Sequence, residues 1–214
     1  MKTLAALAAA SSVFVAHGLC LADTNSTPQG KVIAIVNAGA VSPEMLEQLK
    51  QLAGKSLRVA FETAAVPAVE TTNLLASGTD GRKHWKDNYA AMVLLVSAPT
   101  SLAVHASFNT NTMTSVINVT AMAADNDVLY RSRVHKQVVR GAAFAFGLKP
   151  SRDPLCASRD YRTLAELDKM PAVLFPPWQH AFEKLAAARG LRIDRPVPKR
   201  APVAPPAPPA PKAP

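Results

Sequence analysis

An α/β fold with a mixed sheet follows from three features of the sequence. Residues 32–61 read as apolar run, capped helical segment, apolar run, a strand–helix–strand unit that implies parallel strands joined by a helix. Two further runs, 102–108 and 113–119, flank the turn residues Asn109-Thr110-Asn111-Thr112 and predict an antiparallel hairpin. From about residue 127 the apolar spacing becomes helical, so helices close the fold.

The first strand is Val32-Ile33-Ala34-Ile35-Val36, uninterrupted enough to be buried on both faces. Ser42 and Pro43 supply an N-cap and a first helical residue, and Met45, Leu46, Leu49 and Leu52 continue the helix to Gly54. Leu57, Val59 and Phe61 alternate as a second strand. Residues 63–88 are weakly patterned and read as a loop with room for one short helix. Ala90 to Val96 is another buried strand. In the hairpin, Leu102, Val104, Ala106 and Phe108 alternate with Ala103, His105 and Ser107. The polar Ser107, Thr114 and Asn118 place one hairpin strand at the sheet edge, where an extended peptide can pair. A long helix spans about Asp127 to Leu148, with Tyr130, Val134, Val138, Ala142 and Ala145 on one side and Arg133, Lys136 and Arg140 on another. Shorter helices are predicted at Tyr161–Lys169 and at Trp178–Arg189, the last stopped by Gly190.

The ends read differently. Lys2, an uncharged apolar stretch from Leu4 to Ala16 and the small residue Ala22 form the pattern of a cleaved export signal, giving a mature start at Asp23 and a periplasmic or secreted protein. Leu19 before Cys20 disfavours lipidation, and the membrane is a partner only if the segment stays uncleaved. Residues 23–30 form a linker and 31–194 the folded domain. Residues 195–214 hold nine of the 18 prolines among Ala, Val and the bases Lys199, Arg200 and Lys212, an extended tail outside the fold.

The net charge of +9 is uneven: residues 131–214 carry 16 basic and 6 acidic side chains, residues 1–130 only 8 and 9. No basic run is interleaved with aromatics, so no nucleic acid partner is expected. Two cysteines, one of them in the leader, exclude a disulfide framework and leave Cys156 as a lone thiol. His84, His105, His135 and His180 include no pair three or four residues apart, so none chelates from a helix face. No phosphate-binding glycine loop and no nucleophile elbow is present.

The segment Arg140-Gly141-Ala142-Ala143-Phe144-Ala145-Phe146-Gly147-Leu148-Lys149-Pro150-Ser151, followed by Asp153-Pro154-Leu155-Cys156-Ala157-Ser158, resembles the archaemetzincin-type zinc metallopeptidases. Their pattern is HExxHxxGxxHC, four residues, CxM and a later CxxC. With Gly147 on the family glycine the spacing runs without a gap through Cys156. Leu164-Ala165-Glu166-Leu167-Asp168 then looks like the family's short helix, and Phe175-Pro176-Pro177-Trp178 falls where CxxC is expected. The resemblance spans about 31–189 and implies a metzincin-like sheet with an antiparallel edge hairpin, a central active-site helix and a small helical C-terminal part.

It also implies what is missing. The three zinc histidine positions hold Arg140, Phe144 and Pro150, and the position of the glutamate base holds Gly141. A guanidinium that keeps its proton, a phenyl ring and a pyrrolidine offer zinc no lone pair. The four thiolate positions of the second zinc hold Ser151, Cys156, Phe175 and Trp178, and Ser158 replaces the methionine. Neither metal nor any other cofactor is expected. Phe175 and Trp178 are expected to fill the second site by packing, and Phe144 to plug the floor of the first.

The resulting expectation is an exported, catalytically inactive relative of the peptidases that binds a peptide or a cell-envelope protein through the former substrate cleft, with Arg140 pairing an anionic group. The plainer and weightier reading of Arg140 continues a solvated stripe with Arg133 and Lys136. Two alternatives stand beside this expectation. One is a hydrolase built from His135, His105 and Asp125 or Asp127; the other is an envelope adaptor acting through the basic proline-rich tail.

Overall fold

The computed structural model describes residues 30–69, 71–99 and 104–194; the readings made for the leader, most of the linker, Leu102 and Ala103 of the hairpin, and the tail lie outside the described residues. Five strands form one sheet: β1 (Val32–Asn37), β2 (Phe61–Ala65), β3 (Tyr89–Val96), β4 (Ala106–Asn109) and β5 (Thr114–Asn118). Their order is β2-β1-β3-β5-β4, parallel throughout except for β4, which pairs antiparallel with β5 at the edge. The edge hairpin expected from the polar alternation is therefore present.

The helices are α1 (Pro43–Leu57), α2 (Leu74–Gly81), α3 (Asp127–Ala145), α4 (Leu164–Lys169) and α5 (Pro176–Ala187). The Ser42 hydroxyl caps α1 by accepting from the Met45 N–H, as its sequence position predicts. Several boundaries differ from the sequence reading: β4 spans Ala106–Asn109 and not 102–108, α3 ends at Ala145, α4 starts at Leu164 and α5 runs Pro176–Ala187, and the largest changes surround α1. Gly54 does not stop α1: the helix continues to Leu57 and ends on Arg58 in the left-handed region, whose N–H bonds the Gly54 carbonyl. The second strand then starts at Phe61 and not at Leu57. Leu57, Val59 and Phe61 are all buried, so the alternation reported burial correctly, but Leu57 closes a helix and Val59 bridges Ile193.

The central strands β1, β3 and β5 are buried on both faces. On one, Ile33, Ile35, Val93, Leu95 and Ile117 pack with α1, α3 and α5; on the other, Val36, Met92, Leu94 and Val116 pack with Leu74 of α2. Every residue of β3 is buried, which explains its unbroken apolar sequence. Among the described residues no helix is long and apolar enough to cross a membrane.

Candidate functional site

The centre of the molecule is α3. The Asn126 side chain caps it by accepting from the Leu129 N–H at 2.9 Å, and Asp127 adds a favourable charge in the first turn. Every residue from Arg133 to Ala145 is buried, because the sheet covers one side and the segment 150–175 folds back over the other. Gly147 turns the chain after α3 at φ +88°, a conformation other residues rarely adopt, and its N–H bonds the Phe144 carbonyl. The glycine turn is thus built, and the chain leads on to an exposed Pro150.

The stripe Arg133, Lys136 and Arg140 is not solvated. All three are buried, and each donates to at least one backbone carbonyl of a neighbouring segment. Arg133 grips Asp168 with two bonds, Nε to Oδ1 at 2.7 Å and Nη2 to Oδ2 at 2.8 Å, and Nη1 also reaches the Ala123 carbonyl. Lys136 Nζ donates to the carbonyls of Leu167 at 3.0 Å and Asp168 at 2.7 Å, which belong to the last turn of α4. Arg140 Nη1 donates to the Ala157 carbonyl at 3.0 Å and to that of Arg159. The hydrogen bonds from Arg133 hold the Asp168 carboxyl below its ordinary pKa, while burial pulls Lys136 and Arg140 down.

Arg140 also lines a pocket of about 250 Å³ with His105, Ala106, Phe108, Gln137, Tyr161 and Arg162. Its guanidinium lies over the rings of Phe144 and Tyr161, each centroid 5.0 Å away. Phe144 packs edge-on against Phe108 of β4 at 4.9 Å. A polar chain crosses the pocket: His105 Nδ1 lies 2.9 Å from the Tyr161 hydroxyl, and the Gln137 side-chain amide bonds the same hydroxyl. Burial lowers the pKa of His105 and raises that of Tyr161, against the opposing charge of Arg140. Gln137 Oε1 and Arg140 Nε are buried without a partner among the described residues. Sequence reading did not single out Gln137, Tyr161 or Arg162 for this site; the one available signal was that Gln137 lies one helical turn before Arg140.

Of the other four positions, Cys156 and Phe175 meet directly. Cys156 is fully buried, with Sγ 3.1 Å from Ser158 Oγ and accepting from the Phe175 N–H at 3.3 Å. Ser151 N–H bonds the Ser158 carbonyl, and Trp178 Nε1 donates to the Lys149 carbonyl at 2.9 Å. Phe175 and Trp178 pack against the core but keep part of their rings in solvent. The donor sets present at the two positions, one guanidinium, one thiol and hydroxyls among rings, do not fit zinc. Among the described residues no three His, Cys, Asp or Glu side chains converge.

The histidine and carboxylate set of the hydrolase alternative is not assembled. His135 faces α1 and bonds Ser56 Oγ at 3.2 Å, whereas His105 bonds Tyr161. Asp125 and Asp127 are exposed around the start of α3, and neither hydrogen-bonds a histidine.

A mostly parallel sheet with an antiparallel edge strand, set over a central helix that ends in a glycine turn, is the fold of the archaemetzincin-like zinc metallopeptidases. Solved structures bear this out. An archaemetzincin from Methanopyrus kandleri is similar with a TM-score of 0.62 at 16% identity, over 74% of this chain and 96% of its own. A zinc-dependent peptidase from Methanocorpusculum labreanum gives 0.57 at 13% identity, over 70% and 99%. An archaemetzincin from Archaeoglobus fulgidus, crystallised with malonate, gives 0.53 at 19% identity, over 69% and 98%. No protein-family model and no curated protein matches the sequence.

Proposed function

We propose that this is an exported archaemetzincin-fold protein that no longer hydrolyses peptide bonds and acts by holding an extended peptide, free or part of a cell-envelope protein, in the former substrate cleft. The observation that carries the reading is the position of Arg140. The side chain that stands where the resemblance puts the first zinc histidine is buried and committed to the carbonyls of Ala157 and Arg159. No local rearrangement converts it into a ligand.

The cleft keeps what binding requires. His105 and Asn118 are bonded across the ladder, so the antiparallel alternation turns the backbone groups of Ala106 and Phe108 to the outer edge of β4. Both residues line the Arg140 pocket, and an added peptide strand there would run past it.

The test has two arms on the purified mature protein. Metal analysis is expected to find well under one zinc per chain, and a library of unstructured peptides to be bound but not cleaved. Stoichiometric zinc, or cleavage abolished by a chelator, overturns the loss of catalysis; no retention of any peptide overturns the binding role.

A further inference from the structure

We infer that the Arg140 pocket is a receptor for a peptide carboxylate, either the C-terminal group or an Asp or Glu side chain. The inference rests on the peptide-binding reading and deepens it. Three cationic or cation-capable side chains line the pocket, Arg140, Arg162 and His105, and no acidic residue does. The nearest carboxylate, Asp160, lies 3.9 Å from Arg140 Nη2 with its side chain 79% exposed, too far for a hydrogen bond and largely hydrated. Arg140 is 4% exposed. A guanidinium so buried, with two neutral carbonyls and only one hydrated carboxylate at ion-pair distance, can take a closer anion.

The geometry also selects the kind of anion. The two carbonyls occupy Nη1, so the edge left over is Nε with Nη2, and Nε has no partner. That edge carries two parallel N–H groups, which match the two oxygens of a carboxylate; Nε is buried as it stands, so a carboxylate meets both groups only when the side chains around it shift. Gln137 fits the same ligand. When His105 Nδ1 donates to Tyr161, the phenol proton passes its bond to the Gln137 carbonyl, and the Gln137 NH₂ becomes the free group beside Arg140. A space of about 250 Å³ takes the end of one residue, and the outward backbone groups of Ala106 and Phe108 take the residues next to it.

The experiment uses the mature full chain and one bound peptide prepared in three forms: a free C-terminal acid, a C-terminal amide carrying one internal Glu, and a C-terminal amide with no acid. Calorimetry is expected to show at least one carboxylate form binding roughly tenfold or more above the neutral form, the arm that does so giving the source. Arg162→Ala, at an exposed rim residue, is expected to shrink that ratio severalfold. Arg140→Lys, which keeps a charge but loses the two-donor edge, is expected to bring it close to one. Equal binding of all three forms overturns the carboxylate receptor while leaving peptide binding intact. If no form binds, peptide binding falls, and an acetate titration read by the His105 imidazole NMR signal decides the pocket: a saturable shift lost in Arg140→Lys supports it, and no shift overturns it.

Discussion

The two sides of α3 are held by opposite means. Toward the sheet, Gly141 brings the helix so close to β5 that a Cβ there would lie 2.6 Å from Ser115 Oγ, and Phe144 meets the ring of Phe108. Toward the segment 150–175, three long cations reach out to carbonyl oxygens and one carboxylate. The difference follows from what each neighbour offers. Sheet backbone is satisfied in its own ladder and presents side chains, so dry packing suffices. The 150–175 segment has little regular structure, and its buried carbonyls need donors from elsewhere.

The sharpest way to break that contrast is Arg140→Ala. Removing one side chain leaves the carbonyls of Ala157 and Arg159 buried without that donor, which is expected to cost about 3 kcal/mol in urea unfolding. A loss below about 1 kcal/mol would mean that the segment docks by packing after all. Asp168→Asn is next, at about 2 kcal/mol at neutral pH, discounted because a quarter of the Asp168 side chain remains in solvent. Its pH dependence has a definite sign. The folded Asp168 carboxyl is held below its ordinary value of 3.8, so its stabilisation is present above that pH and is lost as the pH falls through the lowered folded value. Wild type and Asp168→Asn should therefore converge in acid unfolding, and parallel curves down to pH 2 would remove the ion pair from the account.

Burial of His135 gives a second pH-dependent expectation. Its folded pKa lies below the ordinary 6.5 because burial disfavours the charged ring, so its share of stability is present above 6.5 and lost as the pH falls through the lowered value. His135→Gln is expected to flatten the stability profile between neutral and mildly acidic pH, measured by thermal unfolding in a buffer series. An unchanged slope would place the acid sensitivity elsewhere.

Much of the fold was legible because its signals are local. Ser42 with Pro43 announces α1, the unbroken apolar run announces β3, and polar alternation announces the edge hairpin. The candidate site was legible only in part. Helical spacing placed Arg133, Lys136 and Arg140 on one face, but a charged face reads as solvated when nothing in the sequence shows what covers it. The cover is made of backbone carbonyls at 157, 159, 167 and 168, and a carbonyl has no side-chain signature. Tyr161 escaped notice for a related reason: its two partners, His105 and Gln137, lie 56 and 24 residues away and meet only in the fold.

The dry side of α3 yields the smaller effects. Gly141→Ala gains helix propensity of about 1 kcal/mol but forces Ser115 to move, and the overpacking is expected to win by about 1 kcal/mol. Restoring the glutamate of the resembled motif at this position should be worse, since the first atom of the side chain already collides. The clash is relieved by Ser115→Gly, so a double-mutant cycle should show a positive coupling between the two sites. Ser115 itself supplies the last and smallest test. Its hydroxyl is buried with no partner among the described residues, so it contributes a desolvation cost and no bond. Ser115→Ala is therefore expected to leave the protein unchanged or to stabilise it by up to about 1 kcal/mol, read as a higher unfolding midpoint. A destabilisation of that size would show that the hydroxyl finds a partner in solution, and that this side of the helix is less dry than its packing indicates.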